Sequence, residues 1–193
     1  MIHASHVGTT ISRQVVFVGP MGVGKTTATH SLSQIPVVGT EVLQSTVSFA
    51  AVTEGQKVTT TVGIEYGEWT SPDGQRVGLY GTPGQIRFAK ARSSIIAQRS
   101  RIVLWIFGDE YDVPQTIEFW LHTLGDSSAH ARTVIAVTRI WDVPDPLDLD
   151  ELRSELAPEF QRIPLIAADP RNRDDVAAAV MLSLRLNPTE AGA

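Results

Sequence analysis

The chain has 193 residues, of which 42% are hydrophobic and 19% are charged, and it carries a formal net charge of −5. These proportions are typical of a globular protein, and the length fits a single domain. The acidic balance argues against a general nucleic-acid binder, whose surface would be basic. Because the chain has no cysteine, disulfides, thiolate metal sites and lipidation through a thiol are all excluded.

The amino terminus carries no recognisable targeting signal. It has neither the basic stretch nor the apolar stretch of a signal peptide, and Ile2 stands where a myristoylated chain needs glycine. The apolar runs have the length of strands and fall short of the ~18 residues that a membrane span needs. We therefore expect a cytoplasmic protein with no membrane anchor of its own.

Short apolar runs alternate with segments of helical length along the whole chain. Strands are predicted at 14–18, 62–69, 76–80, 101–107, 133–137 and 162–167, and helices at 25–34, 85–98, 114–124, 148–156 and 174–186. This alternation predicts one α/β domain over 1–193, with a doubly wound sheet of six strands that is mostly parallel and has one antiparallel edge strand. The stretch 36–60 is left unassigned, and 1–12 and 187–193 are expected to be flexible tails.

The turn after the first strand carries a phosphate-binding motif. Residues 19–26 read Gly-Pro-Met-Gly-Val-Gly-Lys-Thr, which matches G-x-x-x-x-G-K-[S/T] between a buried strand and a helix. Glycines let successive N–H groups point into one concavity, and the helix N-terminus adds partial positive charge. We expect Lys25 to reach the β- and γ-phosphates and the Thr26 hydroxyl to ligate Mg²⁺. The residues expected to contact the nucleotide here are Gly19, Gly22, Val23, Gly24, Lys25, Thr26 and Thr27.

Two further segments resemble the switch motifs of Ras-like small GTPases. Residues 81–88, Gly-Thr-Pro-Gly-Gln-Ile-Arg-Phe, resemble the bacterial second-switch form G-T-P-G-Q-x-R-F, and residues 61–66, Thr-Val-Gly-Ile-Glu-Tyr, resemble the first-switch sequence T-I-G-V-D-F. The resemblance extends over 14–186 and is strongest to the small GTPases of actinobacterial conservon operons, relatives of the polarity GTPase MglA. It implies a Ras-like P-loop NTPase fold, GTP or GDP with Mg²⁺ as cofactors, and a roadblock-domain partner.

The resemblance also implies roles for single residues. Thr61 would give its hydroxyl to Mg²⁺ and its N–H to the γ-phosphate, with Thr60 in its place if the register differs by one. Gly84 would donate its N–H to the γ-phosphate, and the Gln85 amide would orient the attacking water. Catalysis would then depend on Lys25, Thr61 and Gln85, and loss of the γ-phosphate would release both switch segments.

The sequence departs from the family pattern near the metal and near the base. Gly81 stands where the family has an aspartate that holds a water on Mg²⁺, so we expect weaker metal retention and slow hydrolysis. The base motif [N/T]-K-x-D is represented by Thr-Arg-Ile-Trp-Asp, in which Thr138 and Arg139 fit and Asp142 comes one residue late. Either a bulge brings Asp142 to the guanine, or guanine selectivity is weak. In the last loop, the Ala168 N–H is expected to meet the base oxygen.

These features favour a nucleotide-dependent switch that binds GTP and GDP with Mg²⁺ and hydrolyses GTP slowly under the control of a roadblock-domain protein. One alternative is a catalytically weak nucleotide-binding adaptor, which Gly81 and the irregular base motif favour. Another is an ATP-using P-loop kinase, which leaves the segment 81–88 unexplained. Turnover with and without a partner separates the first two, and competition among nucleotides tests the third.

Overall fold

The computed structural model describes residues 11–44, 60–84, 100–141 and 146–186, with the backbone alone at 40–44 and 60–62. The strands are β1 (Arg13–Val18), β2 (Val38–Gln44), β3 (Thr60–Thr70), β4 (Arg76–Gly81), β5 (Arg101–Phe107), β6 (Thr133–Thr138) and β7 (Leu165–Ala167). The helices in these ranges are α1 (Lys25–Leu32), α2 (Val113–Leu124), α3 (Ser127–His130), α4 (Leu149–Glu155) and α5 (Arg173–Arg185). The helix predicted at 85–98 lies outside the described residues.

The strands form one sheet in the order β2-β3-β4-β1-β5-β6-β7. β1 pairs in parallel with β4 and β5, and β6 pairs in parallel with β5 and β7. β3 runs antiparallel to both of its neighbours, β2 and β4. The predicted α/β fold, mostly parallel with antiparallel pairing at one edge, is confirmed. In such a sheet ligands bind beyond the carboxyl ends of the parallel strands, where the strand order reverses around β1.

The sheet has a seventh strand, which corrects the predicted number of six. The additional strand is β2, which lies in the stretch that the sequence left unassigned and pairs with β3 from Val38 opposite Tyr66 to Gln44 opposite Thr60. β2 is an edge strand of mixed polar and apolar residues, so it lacks the continuous apolar run that marks the buried strands. β2 forms because it pairs with β3, and the local sequence of β2 gives no sign of that pairing.

Helices cover both faces of the sheet, and the core is divided accordingly. On one face Val16, Ile102 and Leu104 pack with α2 and α4. On the other face Phe17 and Trp105 pack with α1 and α5. Alternate residues of the same strands point to opposite faces, which explains why β1 and β5 read as unbroken apolar runs. None of the helices in the described ranges has the length and apolar character that would let it cross a membrane.

Local sequence fixes where α2 begins. The Asp112 carboxylate accepts a hydrogen bond from the Gln115 N–H at 2.9 Å, and a proline lies in the first turn. Ile117 and Leu121, one turn apart, are fully buried. The cap and this apolar stripe hold the helix across β5.

Replacing Asp112 with alanine removes the cap of α2, and we expect the free energy of unfolding to fall by about 1 kcal/mol. D112N keeps an acceptor oxygen and should stay within about 0.5 kcal/mol of the wild type. Urea unfolding followed by circular dichroism measures both values. An equal loss in the two variants would assign the effect to the negative charge at the helix N-terminus and not to the hydrogen bond.

Candidate functional site

The turn between β1 and α1 needs glycine at the motif positions. The backbone φ is +137° at Gly19, +80° at Gly22 and +107° at Gly24, a region that other residues rarely adopt. Space is also lacking, because a Cβ on Gly19 would lie 2.1 Å from the Trp105 carbonyl oxygen and one on Gly24 would lie 2.5 Å from Pro170 Cγ. The three glycines predicted to form the phosphate-binding turn are therefore required by its backbone.

The helix that follows this turn starts without a side-chain cap. Gly24 occupies the N-cap position of α1, and the first turn has no acidic residue. Every other helix in the described ranges has a capping side chain, from Asp112, Asp126, Asp148 and Asn172 in turn. The N-cap residue of α1 thus offers no side-chain acceptor to the first N–H groups of the helix, which suits the binding of an anion.

Lys25 lies folded into the turn. Its side chain is almost wholly buried, and Nζ donates hydrogen bonds to the carbonyl oxygens of Gly19 at 2.9 Å and Pro20 at 2.6 Å. These carbonyls orient the ammonium group within the turn, and a phosphate would add the negative charge that a carbonyl lacks. Thr26 and Thr27, at the start of α1, are exposed.

The segment after β4 is brought against the phosphate-binding turn. The Thr82 N–H and Oγ1 both donate to the Phe17 carbonyl oxygen, at 3.1 and 2.8 Å, and anchor the segment to β1. A Cβ on Gly84 would lie 2.5 Å from the Met21 backbone nitrogen. The structure therefore brings Gly84 against the turn. Its expected contact with the γ-phosphate stays a prediction, and Gln85 lies outside the described residues.

Sequence reasoning missed Glu65. Glu65 and Gly81 are opposite each other in the β3–β4 ladder. A Cβ on Gly81 would lie 2.8 Å from Glu65 Oε2 and 3.3 Å from Thr29 Oγ1, so the Glu65 carboxylate fills the space beside Gly81. An acidic side chain thus lies next to the position where the family pattern has its aspartate. The register of the hairpin would have revealed it, since register alone decides which residue lies opposite Gly81.

Thr61 lies in β3, where its backbone is opposite Leu43 of β2. Thr60, the other candidate for the first switch, is opposite Gln44. Because β3 runs antiparallel to β4 and Glu65 lies opposite Gly81, the residues of β3 before Glu65 extend beyond the carboxyl end of β4. The expected roles of Thr61 stay a prediction.

A pocket of about 190 Å³ opens between the phosphate-binding turn, the end of β6 and the loop from β7 to α5. It brings residues of the turn together with Thr138 and Arg139 of the base motif, while Asp142 lies outside the described residues. Its lining residues are Gly22, Val23, Gly24, Thr27, Thr138, Arg139, Trp141, Asp169, Pro170 and Arg171.

Arg139 is held beside the turn in an uncommon conformation. It has φ +60°, the one positive φ of a non-glycine residue in the described part of the chain. Its guanidinium carbon lies 4.5 Å from the Phe107 ring centroid, and Nη1 donates to Asp109 Oδ2 at 3.4 Å. The Phe107 ring in turn faces Gly22, 4.0 Å from where a Cβ would be. Strained backbone of this kind is often found at binding sites.

The Ala168 N–H, which we expected to meet the base oxygen, is instead engaged within the sheet. It donates to the Val137 carbonyl oxygen at 3.0 Å, and Ala168 is fully buried. This hydrogen bond belongs to the last pair of the parallel ladder, Val137 opposite Ala167, which explains the difference. The next N–H, of Asp169, donates to Asp175 Oδ2 at 2.9 Å, and Pro170 has none.

Asp169 is the one carboxylate among the described residues that line the pocket. Its oxygens accept hydrogen bonds from the Arg171 backbone N–H at 2.8 Å, from Nε at 3.0 and 3.1 Å, and from Nη2 at 2.7 Å. These bonds from Arg171 lower the pKa of Asp169, so the carboxylate is ionised at neutral pH. The loop therefore presents to the pocket an ionised carboxylate that is paired with the Arg171 guanidinium.

No protein-family model matches this chain, and no curated protein matches it significantly. Solved structures do. The G domain of the FeoB iron transporter of T. maritima aligns over 90% of this chain and 99% of its own length, with 18% identity and a TM-score of 0.59. The cytosolic domain of the same transporter, in its GMPPNP form, aligns over 94% of this chain and 64% of its own length, with 16% identity and a TM-score of 0.60.

A mutant NFeoB from S. thermophilus, bound to mGDP, aligns over 93% of this chain with 13% identity and a TM-score of 0.64. The chain spans 63% of that protein's length. At these identities the likeness concerns the fold. The sheet order, the glycine-rich turn and these alignments together show that the chain has the fold of a P-loop GTPase G domain.

Proposed function

We propose that the chain binds GTP and GDP together with Mg²⁺ and acts as a nucleotide-dependent switch that hydrolyses GTP slowly. The observation that carries this proposal is the contact of Gly84 with the backbone of Met21. A segment that resembles the second switch thereby touches the turn that resembles a phosphate cradle. A nucleotide bound in that turn would be read by this segment directly.

Each side chain at the turn has a role in the proposed mechanism. Lys25 would exchange its loop carbonyls for the β- and γ-phosphates, whose negative charge makes stronger hydrogen bonds. The N–H groups at the start of α1 would bind phosphate oxygens, and the Gly84 N–H would bind the γ-phosphate. Gln85 would orient the attacking water, and the catalytic work would be positioning and electrostatic stabilisation.

The residues around Gly81 fit a hydrated Mg²⁺ ion. Magnesium prefers oxygen ligands and keeps several of its waters, so it needs few protein ligands besides the phosphates. The hydroxyls of Thr26 and Thr61 would be direct ligands, and the Glu65 carboxylate would hold a metal-bound water in place of the missing aspartate. When bound, the ion would neutralise phosphate charge. Glu65 would thereby offset the weaker metal retention expected from Gly81.

A second candidate is a nucleotide-binding adaptor that does not turn over. Gly81 and the late Asp142 support it, because both depart from the pattern of active relatives. In either case the resemblance to conservon GTPases supports a roadblock-domain protein as partner. If the chain is a switch, that partner would order Gln85. If the chain is an adaptor, the partner would recognise the nucleotide-bound form.

Lysine 25 tests the phosphate site. We expect K25A to weaken the binding of mant-GDP and mant-GTP by about 100-fold or more, because two charge-assisted hydrogen bonds are lost. Fluorescence titration measures the affinity, and R185A, which removes an exposed cation at the far end of α5, should leave it unchanged. Unchanged affinity in a folded K25A protein would contradict the proposed phosphate site.

Glutamate 65 tests the metal site. We expect E65Q to speed mant-GDP release in millimolar Mg²⁺ by about ten-fold, with little effect when EDTA is present, because the carboxylate acts through the ion. E68Q is the matched control, since Glu68 lies on the same strand but points to the other face and pairs with Arg76. Equal release rates for E65Q and the wild type in Mg²⁺ would remove Glu65 from the metal site.

Turnover decides between switch and adaptor. For a switch we expect single-turnover GTP hydrolysis on the order of 10⁻⁴ to 10⁻² s⁻¹, and a loss of about ten-fold or more in Q85A. Phosphate release measured with and without the cognate roadblock-domain protein gives both rates. Tight GTP binding with no hydrolysis in either condition would favour the adaptor.

A further inference from the structure

We propose that the Asp169 carboxylate selects guanine, by accepting hydrogen bonds from the N1–H and N2–H₂ groups of the base in the place that the Arg171 side chain occupies in this structure. The inference rests on the proposed function, since it names the base that the nucleotide site accepts. Under this proposal the base is recognised by the Asp169 side chain and not by the backbone N–H of Ala168.

Asp169 is placed where the base of a nucleotide would lie. The pocket that it lines is shared with Gly22, Gly24 and Thr27 of the phosphate-binding turn and α1. The next residue, Pro170, packs directly on the turn, as the 2.5 Å approach to a Cβ on Gly24 shows. A nucleotide whose phosphates lie in the turn would therefore have its base within this pocket.

The backbone of this loop has few donors to offer a base. The N–H groups of Ala168 and Asp169 donate to Val137 and Asp175, and the N–H of Arg171 donates to Asp169 itself. Pro170 has no N–H. Recognition by this loop must therefore use side chains, and an ionised carboxylate accepts hydrogen bonds only.

The contact with Arg171 shows which chemical group this carboxylate fits. Nε–H and Nη2–H are two donors attached to one carbon, and together they span both Asp169 oxygens. Guanine has the same unit, because N1–H and N2–H₂ are attached to C2. Adenine has an acceptor, N1, in the corresponding place, and a carboxylate would repel it. The arginine side chain is thus a chemical analogue of the guanine edge.

The arginine can be replaced at small cost, whereas the carboxylate is fixed. The Arg171 side chain is 78% exposed and that of Asp169 is 25% exposed. An ion pair with so much exposure contributes little to stability. The Asp169 backbone is held by Asp175 in the first turn of α5 and by the Asn172 N–H, which donates to its carbonyl oxygen at 2.9 Å. A guanine edge can therefore displace the guanidinium from a carboxylate that stays in place.

Competition of GDP, ADP and xanthosine diphosphate against mant-GDP tests this proposal on the full chain. We expect the wild type to prefer GDP. D169N should lose about 10- to 100-fold in GDP affinity. It should gain affinity for xanthosine diphosphate, because the Asn amide can donate to the xanthine oxygen at C2. D73N is the matched control, since it removes an ionised carboxylate from the distant β3–β4 turn and should change nothing.

Arg171 gives a second test that leaves the carboxylate intact. R171Q removes the competing guanidinium, and we expect GDP affinity to rise by about three- to ten-fold, while a thermal melt confirms that the variant is folded. A fall of similar size would mean that Arg171 itself holds the nucleotide, and the assignment would be overturned.

Two other outcomes would overturn the proposal. If D142N and not D169N changes the base preference, Asp142 reads the guanine. If the wild type binds ADP as tightly as GDP, no carboxylate selects the base. If K25A abolishes the binding of both nucleotides in that case, the proposed phosphate site is still supported. Absence of all nucleotide binding in the wild type would instead refute the proposed function, and the inference with it.

Discussion

The site depends on close approaches of backbone that only glycine permits. Gly19 lies against the Trp105 carbonyl, Gly24 against Pro170 and Gly84 against Met21, each at a distance that leaves no room for a Cβ. These contacts join the turn after β1 to β5, to the loop before α5 and to the segment after β4. The turn that is expected to bind phosphate thus touches both the loop expected to meet the base and the segment expected to meet the γ-phosphate. Adding a methyl group at any of the three would move one part away from the others.

The pairing of Gly81 with Glu65 shows why a sequence motif should be compared with its family pattern in the folded structure as well as along the chain. Read along the sequence, Gly81 looks like the loss of a carboxylate. In the sheet, the Glu65 carboxylate lies so close to Gly81 that a side chain there would displace it. An acidic side chain therefore still lies beside position 81, although it is supplied by the neighbouring strand. This weakens the argument from Gly81 for an inactive adaptor.

Buried elements and the phosphate motif could be predicted from sequence, because their signals are local. Unbroken apolar runs marked β1, β5 and β6, and the glycines at 19, 22 and 24 marked the turn. What could not be predicted depends on pairing between distant residues. β2 is recognisable only through β3, and the position of Glu65 depends on the register of the hairpin. The Ala168 N–H is consumed by the ladder between β6 and β7, which joins residues about 30 positions apart. The roles expected of Gln85 and Asp142 concern residues outside the described ranges and stay predictions.

The anchoring of the segment after β4 indicates where a switch would begin to move. Thr82 is buried and bound twice to the Phe17 carbonyl in the core, so it is held whether or not a phosphate is present. Gly84, two residues on, is held in part by its contact with the turn, which a γ-phosphate would strengthen through one more hydrogen bond. In the proposed switch, loss of that group would therefore loosen Gly84 and leave β4 intact. The boundary between fixed and moving backbone in that proposed switch would then lie at Pro83, whose ring restricts φ.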